Sequence, residues 1–81
     1  MKIKLSEKAI RQYLSLPKLI QKKADKQFAY LLENHQHPSL NIKKYQGFED
    51  LWQSRIDKGY RFYFYIIDPD YIIISIIKHP K

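Results

Sequence analysis

Arg55 in "LWQSRID" and Arg61 in "YRFYFYII" are the side chains best suited to chemistry on an anion. A guanidinium is planar, permanently charged and able to grip two phosphate oxygens at once. Both lie inside runs of aromatic and β-branched residues that read as sheet, so the charge is built into a rigid element. The final run, "YIIISIIK", ends on Lys78, followed by His79 and Lys81. His79 is the one histidine beside an expected strand end, where a side chain that titrates near neutral pH could carry a proton; the plain reading is a solvated terminal residue. Other chemistries lack their parts. The only glycines are Gly47 and Gly59, so no glycine-rich phosphate loop exists, and no serine or cysteine nucleophile motif occurs. His35 and His37 sit in a turn without a third ligand nearby, which does not make a metal site, and no cofactor is expected.

Whether the two arginines meet depends on one hairpin. A two-residue turn at Lys58 and Gly59 would pair Asp57 with Tyr60 and put Arg55 on the face of Phe62 and Phe64, burying a guanidinium. A three-residue loop of Asp57, Lys58 and Gly59, with Gly59 left-handed, pairs Ile56 with Tyr60 instead. The second register sorts every side chain: Trp52, Ser54, Ile56, Tyr60, Phe62, Phe64 and Ile66 on a covered face; Gln53, Arg55, Arg61, Tyr63 and Tyr65 on the other. Arg55 then stands directly across from Arg61, and like charges so opposed cost some tenths of a kcal/mol unless an anion lies between them. A phosphate is the expected anion. The rival is neutralisation by Asp57, Asp50 or Glu49, since exposed ion pairs are common and weak. Lys43 and Lys44 point to opposite faces of their strand, so at most one joins the arginines, and Tyr63 and Tyr65 form a stripe on which bases could stack.

The elements that must position these groups follow from periodicity. Residues 2–5 form a short strand, and Ser6 caps a helix whose stripe is Ala9, Ile10, Tyr13 and Leu14. Pro17 separates it from a second helix with Ile20, Ala24, Phe28 and Leu31 on one face and Lys18, Lys22 and Lys26 on the opposite one. That helix stops near Asn34, because His37 precedes Pro38. The period then changes to two, giving strands over 40–45, 51–57, 60–67 and 71–78, with "DKG" and "DPD" as turns. The expected fold is α+β: an N-terminal strand, a helical hairpin, then a four-stranded antiparallel sheet with both helices on one face, in a single domain over 1–81.

Composition agrees with a small basic binding protein. Fifteen Lys and Arg against eight acids leave a net charge of +7 in 81 residues, which favours a polyanionic partner, nucleic acid or acidic protein, over the plain reading of a solvated basic surface. There is no cysteine, which fits the reducing cytoplasm, and the apolar run 72–77 is too short to span a bilayer. No membrane partner is expected.

Residues 37–81, "HPSLNIKKYQGFEDLWQSRIDKGYRFYFYIIDPDYIIISIIKHPK", resemble the sheet region of the RelE/ParE superfamily of bacterial type II toxin–antitoxin toxins. The shared marks are "HPSL", the "W-x-x-R-I" of "WQSRI", a short turn, "YR", and a last apolar strand ending in basic residues; the strand–helix–helix order extends the resemblance over the whole chain. It implies a RelE-like mRNA interferase, an endoribonuclease that enters the ribosomal A site, cuts the message to a 2′,3′-cyclic phosphate and so inhibits translation. The cognate antitoxin would wrap an extended, partly helical acidic segment around it. Carried over by motif, Arg61 stabilises the scissile phosphate, Arg55 holds the backbone or the developing charge, and His79 or Lys81 occupies the basic end of the last strand. Lys43, Lys44, Gln53, Tyr63, Tyr65 and Lys78 would touch RNA. Such roles suit the reaction: a 2′-hydroxyl loses a proton, the phosphorane gains charge and the 5′-oxygen is protonated. Gln53 departs from the base-like or cationic residue often found there, and the chain ends before a tyrosine that many active members carry. Both departures keep an alternative open, a ParE-like DNA gyrase poison or a catalytically decayed antitoxin-binding module.

Overall fold

The computed structural model describes residues 2–45, 47 and 50–79. Strand β1 (Lys2–Leu5) leads into helices α1 (Glu7–Leu14) and α2 (Lys18–Glu33), a 3₁₀ turn (Pro38–Leu40), then β2 (Lys43–Lys44), β3 (Leu51–Asp57), β4 (Tyr60–Ile67) and β5 (Asp70–Lys78). The sheet has five strands in the order β1-β5-β4-β3-β2, and both helices cover one face. It is mixed rather than wholly antiparallel: β1 joins as an edge strand parallel to β5, with Ile3 opposite Tyr71, reached by the crossover through the helical hairpin.

The expected strand over 40–45 shrinks to two residues. His37 caps a 3₁₀ turn by accepting the Ser39 N–H on Nδ1, Pro38 occupies its first position, and Asn41 follows at φ 48°, so the chain is extended only from Lys43. Helix α1 opens on Ser6, whose hydroxyl oxygen accepts the Ala9 N–H at 3.1 Å. The same hydroxyl donates to the Ile74 carbonyl at 3.0 Å, and Gln12 accepts the Ile76 N–H at 2.7 Å. These contacts satisfy backbone groups beside a register shift: Tyr63 faces Ser75 but Phe64 faces Ile73, leaving Ile74 as the extra residue of β5. The core lies between helices and sheet, where Phe62, Phe64 and Ile73 are fully buried with Ala24 and Leu31 of α2. Phe28 meets Phe62 edge-on at 5.1 Å, and Phe64 meets Tyr71 at 5.9 Å.

The β3–β4 hairpin opposes Arg55 to Arg61 as expected, but the expected pairing of Ile56 with Tyr60 is not the one found. Asp57 pairs with Tyr60 across a two-residue turn, and the Gly59 N–H is held by Asp57 Oδ1 at 2.8 Å. A register shift between Arg55 and Asp57 absorbs Ile56, so Arg55 still faces Arg61 and Ser54 still faces Phe62. Gly59 is not left-handed. Only Gly47 among the glycines has a positive φ, +88°, and a Cβ on Gly59 would have as its nearest neighbour Asp57 Oδ1 at 3.7 Å. Gly59→Ala should therefore change stability by less than about 0.5 kcal/mol, whereas Gly47→Ala should cost about 1 kcal/mol or more. Urea denaturation of the two variants checks this, and a larger loss at Gly59 would restore the three-residue loop.

Candidate nucleic-acid interface

The face turned away from the helices is organised in rows that cross the strands. At the hairpin end, Arg55 of β3, Arg61 of β4 and Ile77 of β5 form one row. The next is Lys43, Gln53, Tyr63 and Ser75, and the third brings Leu51, Tyr65 and Ile72 beside Lys4 of β1. Cationic and polar groups thus gather at one end of the face and give way to apolar ones. Alternation decides the doubtful lysines: Lys43, opposite Gln53, shares the arginine face, while Lys44, opposite Trp52, and Lys78, opposite Tyr60, lie on the helix side. Lys44 and Lys78, both expected to touch RNA, therefore do not share the face of Arg55 and Arg61.

Arg55 is exposed and Arg61 half-buried, and neither pairs with a carboxylate among the described residues. The expected neutraliser is otherwise engaged: Asp57 Oδ2 pairs with Lys23 of α2 at 3.3 Å and Oδ1 holds Gly59. Asp50 makes no ion pair among the described residues, and Glu49 lies outside them. Arg61 is fixed by the turn beneath it, with Nη1 donating to the Tyr60 carbonyl at 2.9 Å and to the Asp57 carbonyl. With both Nη1 hydrogens used, the Nε–H and Nη2 edge remains, and that edge is the one that grips two phosphate oxygens side by side.

Tyr63 is half-buried beside these groups, and its ring meets Tyr45 edge-on at 5.1 Å. Burial raises its pKa above 10.0, the Tyr45 phenol adds to the rise, and the Arg61 charge opposes it. The group is thus a neutral phenol at physiological pH, a donor or stacking surface rather than a base. A folded-state pKa above the unfolded value makes the contribution to stability complete below pH 10.0 and lost as pH rises through the folded value. Replacing Tyr63 with Phe should flatten the alkaline fall of the melting temperature, and an unchanged alkaline limb would show that other tyrosines set it.

His79 is exposed, and its backbone N–H donates to the Gly59 carbonyl at 2.7 Å, which ties the end of β5 to the hairpin turn. Lys81 lies outside the described residues. Tyr65 shares the face one row beyond Tyr63. Among the described residues no three His, Asp or Glu side chains gather to hold a metal, and no helix is long and apolar enough to cross a membrane.

Gln27 of α2 was not among the expected site residues. It is buried, and its Nε2 donates to the Arg55 carbonyl at 2.8 Å and to the Ser39 carbonyl at 3.0 Å, fixing the backbone that carries Arg55. The available signal was a polar residue on an apolar stripe, three after Ala24 and four before Leu31. Ser54, fully buried with its hydroxyl on the Leu40 carbonyl at 2.9 Å, repeats the pattern on β3.

No family model and no curated protein matches the chain. Solved structures do match over nearly its whole length. The toxin of the intact Escherichia coli RelBE toxin–antitoxin complex is 21% identical, with 98% of this chain and 96% of that one covered and a TM-score of 0.77. A YoeB/ParE toxin from Agrobacterium tumefaciens is 14% identical, with 99% and 100% covered and a TM-score of 0.83. In the RelB–RelE antitoxin–toxin complex of Methanococcus jannaschii the values are 14%, 93%, 88% and 0.78. At these identities the likeness is one of fold: the chain has the fold of the RelE and YoeB toxins.

Proposed function

We propose that this chain is the toxin of a type II toxin–antitoxin pair and cuts mRNA on the ribosome at the open face of its sheet, inhibiting translation. The observation that carries this reading is the Arg55–Arg61 pair. Two guanidiniums are held across from each other with no carboxylate between them among the described residues, on a fold shared with RelE and YoeB toxins. A fold does not fix an activity by itself; the chemistry of the site does. A scissile phosphate between the arginines would relieve their repulsion, and charge developing on the phosphorane would be met by donors already in place. The 2′-hydroxyl attacks phosphorus, the bond to the 5′-oxygen breaks, and the products are a 2′,3′-cyclic phosphate and a 5′-hydroxyl. Arg61, held by two carbonyls, contacts the non-bridging oxygens; Arg55 and Lys43 steady the flanking backbone; Gln53 and Tyr63 serve as hydrogen-bond or stacking groups. A neutral amide takes up no proton, so His79, with Lys81 beyond it, is the proposed carrier of the proton exchange. The proposed partner is a cognate antitoxin, as in the solved RelB complexes, and the net charge of +7 is the reason to propose that its binding segment is acidic.

Induced expression in bacteria, with and without the neighbouring small gene, tests the reading. Growth arrest relieved by that neighbour and new message ends carrying cyclic phosphates are expected. Arrest with intact messages and altered plasmid supercoiling would replace ribonuclease by gyrase poison; no arrest at all would leave a binding module.

A further inference from the structure

A second feature suited to nucleic acid lies away from the arginines, in the loop that follows α2. The His37 imidazole is stacked flat on the Tyr30 ring, 3.8 Å between centroids and 8° between planes, and Lys26 lies over Tyr30 at 5.8 Å. Tyr30 takes one face of the imidazole, and no described ring contact uses the other. A cleft of about 370 Å³ is lined by His37 together with His35, Gln36, Pro38, Asn41 and Ile42. That volume is at the small end of ligand sites, about 300–1,000 Å³, which suits one planar heterocycle rather than a large molecule. The Gln36 and Asn41 side-chain amides make no hydrogen bond among the described residues, so each offers both a donor and an acceptor at the rim.

One cation stands beside the stack, Lys26 over Tyr30, while Lys22 and Lys18 lie one and two turns further toward the start of α2. Lys18, Lys22 and Lys26 recur every turn of α2, its first turn has no acid, and Asp25 beside them is turned to the Tyr13 hydroxyl at 2.6 Å. Like charges at this spacing destabilise a helix, as do cations at its N-terminal end, so the helix is not served by them. On the far side of the cleft, Lys43 follows Ile42 directly and faces the arginines. An aromatic platform, amides at its edge and a cationic approach are the parts of a single-strand reader.

We infer that the cleft beside His37 binds one unpaired nucleobase of single-stranded RNA, stacked on the imidazole. The site stands apart from the cleavage face and does not depend on catalysis. The competing role for His37 is structural, since its Nδ1 caps the 3₁₀ turn through the Ser39 N–H. Two substitutions separate the roles: His37→Asn keeps a good capping acceptor but loses the ring, and His37→Phe keeps a stacking ring but loses the cap.

The probe is a short 2′-O-methyl RNA carrying 2-aminopurine, which lacks the 2′-hydroxyl nucleophile and so reports binding alone. The wild-type protein and His37→Phe should quench its fluorescence at saturation, while His37→Asn should lose the quench and bind about tenfold more weakly. Thermal melts show which variants are folded. Quenching retained by His37→Asn, or absent from the wild-type protein, overturns the inference, as does its loss in a folded His37→Phe. An Arg55→Ala/Arg61→Ala protein should still quench at saturation. Failure there would merge the two sites, whereas message cleavage without any quench would sink this site and spare the ribonuclease reading.

Discussion

Arg61→Ala should reduce message cleavage by about 10²–10³-fold, the usual loss when one preorganised donor to a transition-state oxyanion is removed. The fold should survive the change. Two hydrogen bonds from Nη1 to the Asp57 and Tyr60 carbonyls are lost, and each is worth about 1 kcal/mol. Water can reach this hairpin end, and the relieved repulsion with Arg55 returns some tenths of a kcal/mol. The net cost should be about 1 kcal/mol, too little to unfold a domain of ordinary stability. Arg55→Ala provides the contrast: Arg55 is exposed and its side chain makes no bond among the described residues, so its removal should leave stability unchanged or slightly raised while cleavage falls. Arg61→Lys should recover only part of the activity, because an ammonium cannot make the paired contact of a guanidinium edge. Growth inhibition, mapped message ends and melting curves for the three variants decide between roles. If Arg61 serves only to staple the hairpin, activity will track the folded fraction, and full toxicity in well-folded Arg61→Ala would end the phosphate-clamp proposal.

Gln27→Leu should destabilise the protein by about 2–4 kcal/mol although it puts an apolar side chain of similar size on an apolar stripe. Gln27 is 6% exposed, and its Nε2 satisfies both the Arg55 and Ser39 carbonyls while Oε1 accepts from the Ser39 hydroxyl at 3.3 Å. Leucine leaves those acceptors facing a surface where desolvation is uncompensated, about 1–3 kcal/mol for each buried group. A chain of 81 residues has a total stability of only about 4–12 kcal/mol. The loss should appear as a lower urea midpoint with an unchanged slope. Because the same bonds hold the strand that carries Arg55, cleavage per folded molecule should fall as well. A leucine variant as stable as its parent would mean that water reaches both carbonyls.

The helices and the two long strands of the hairpin were legible because their signals are local. The stripe from Ile20 to Leu31 and the alternation through Leu51–Asp57 and Tyr60–Ile67 each declare a buried face within one element. Gln27 was passed over because its partners, the carbonyls of Arg55 and Ser39, are 28 and 12 residues away and belong to segments whose approach no local pattern encodes. The strand expected over 40–45 failed for a local reason: its alternation was outweighed by Pro38, the His37 cap and left-handed Asn41.

The alternation of β4 alone places Arg61 on the uncovered side of a sheet, because Phe62 and Phe64 can only face inward. Arg55 was left open between two registers, and only the folded hairpin sets it opposite Arg61. A two-residue turn alone would have sent Arg55 into the core, and the bulge at Ile56 reverses that shift. The tertiary structure also placed β1 parallel to β5, kept Lys43 and excluded Lys44 and Lys78 from the arginine face, and turned the Asp57 carboxylate toward Lys23. Each of these depends on which backbone groups find partners across the sheet or beneath the helices, and one residue inserted or absorbed at a bulge inverts every facing beyond it.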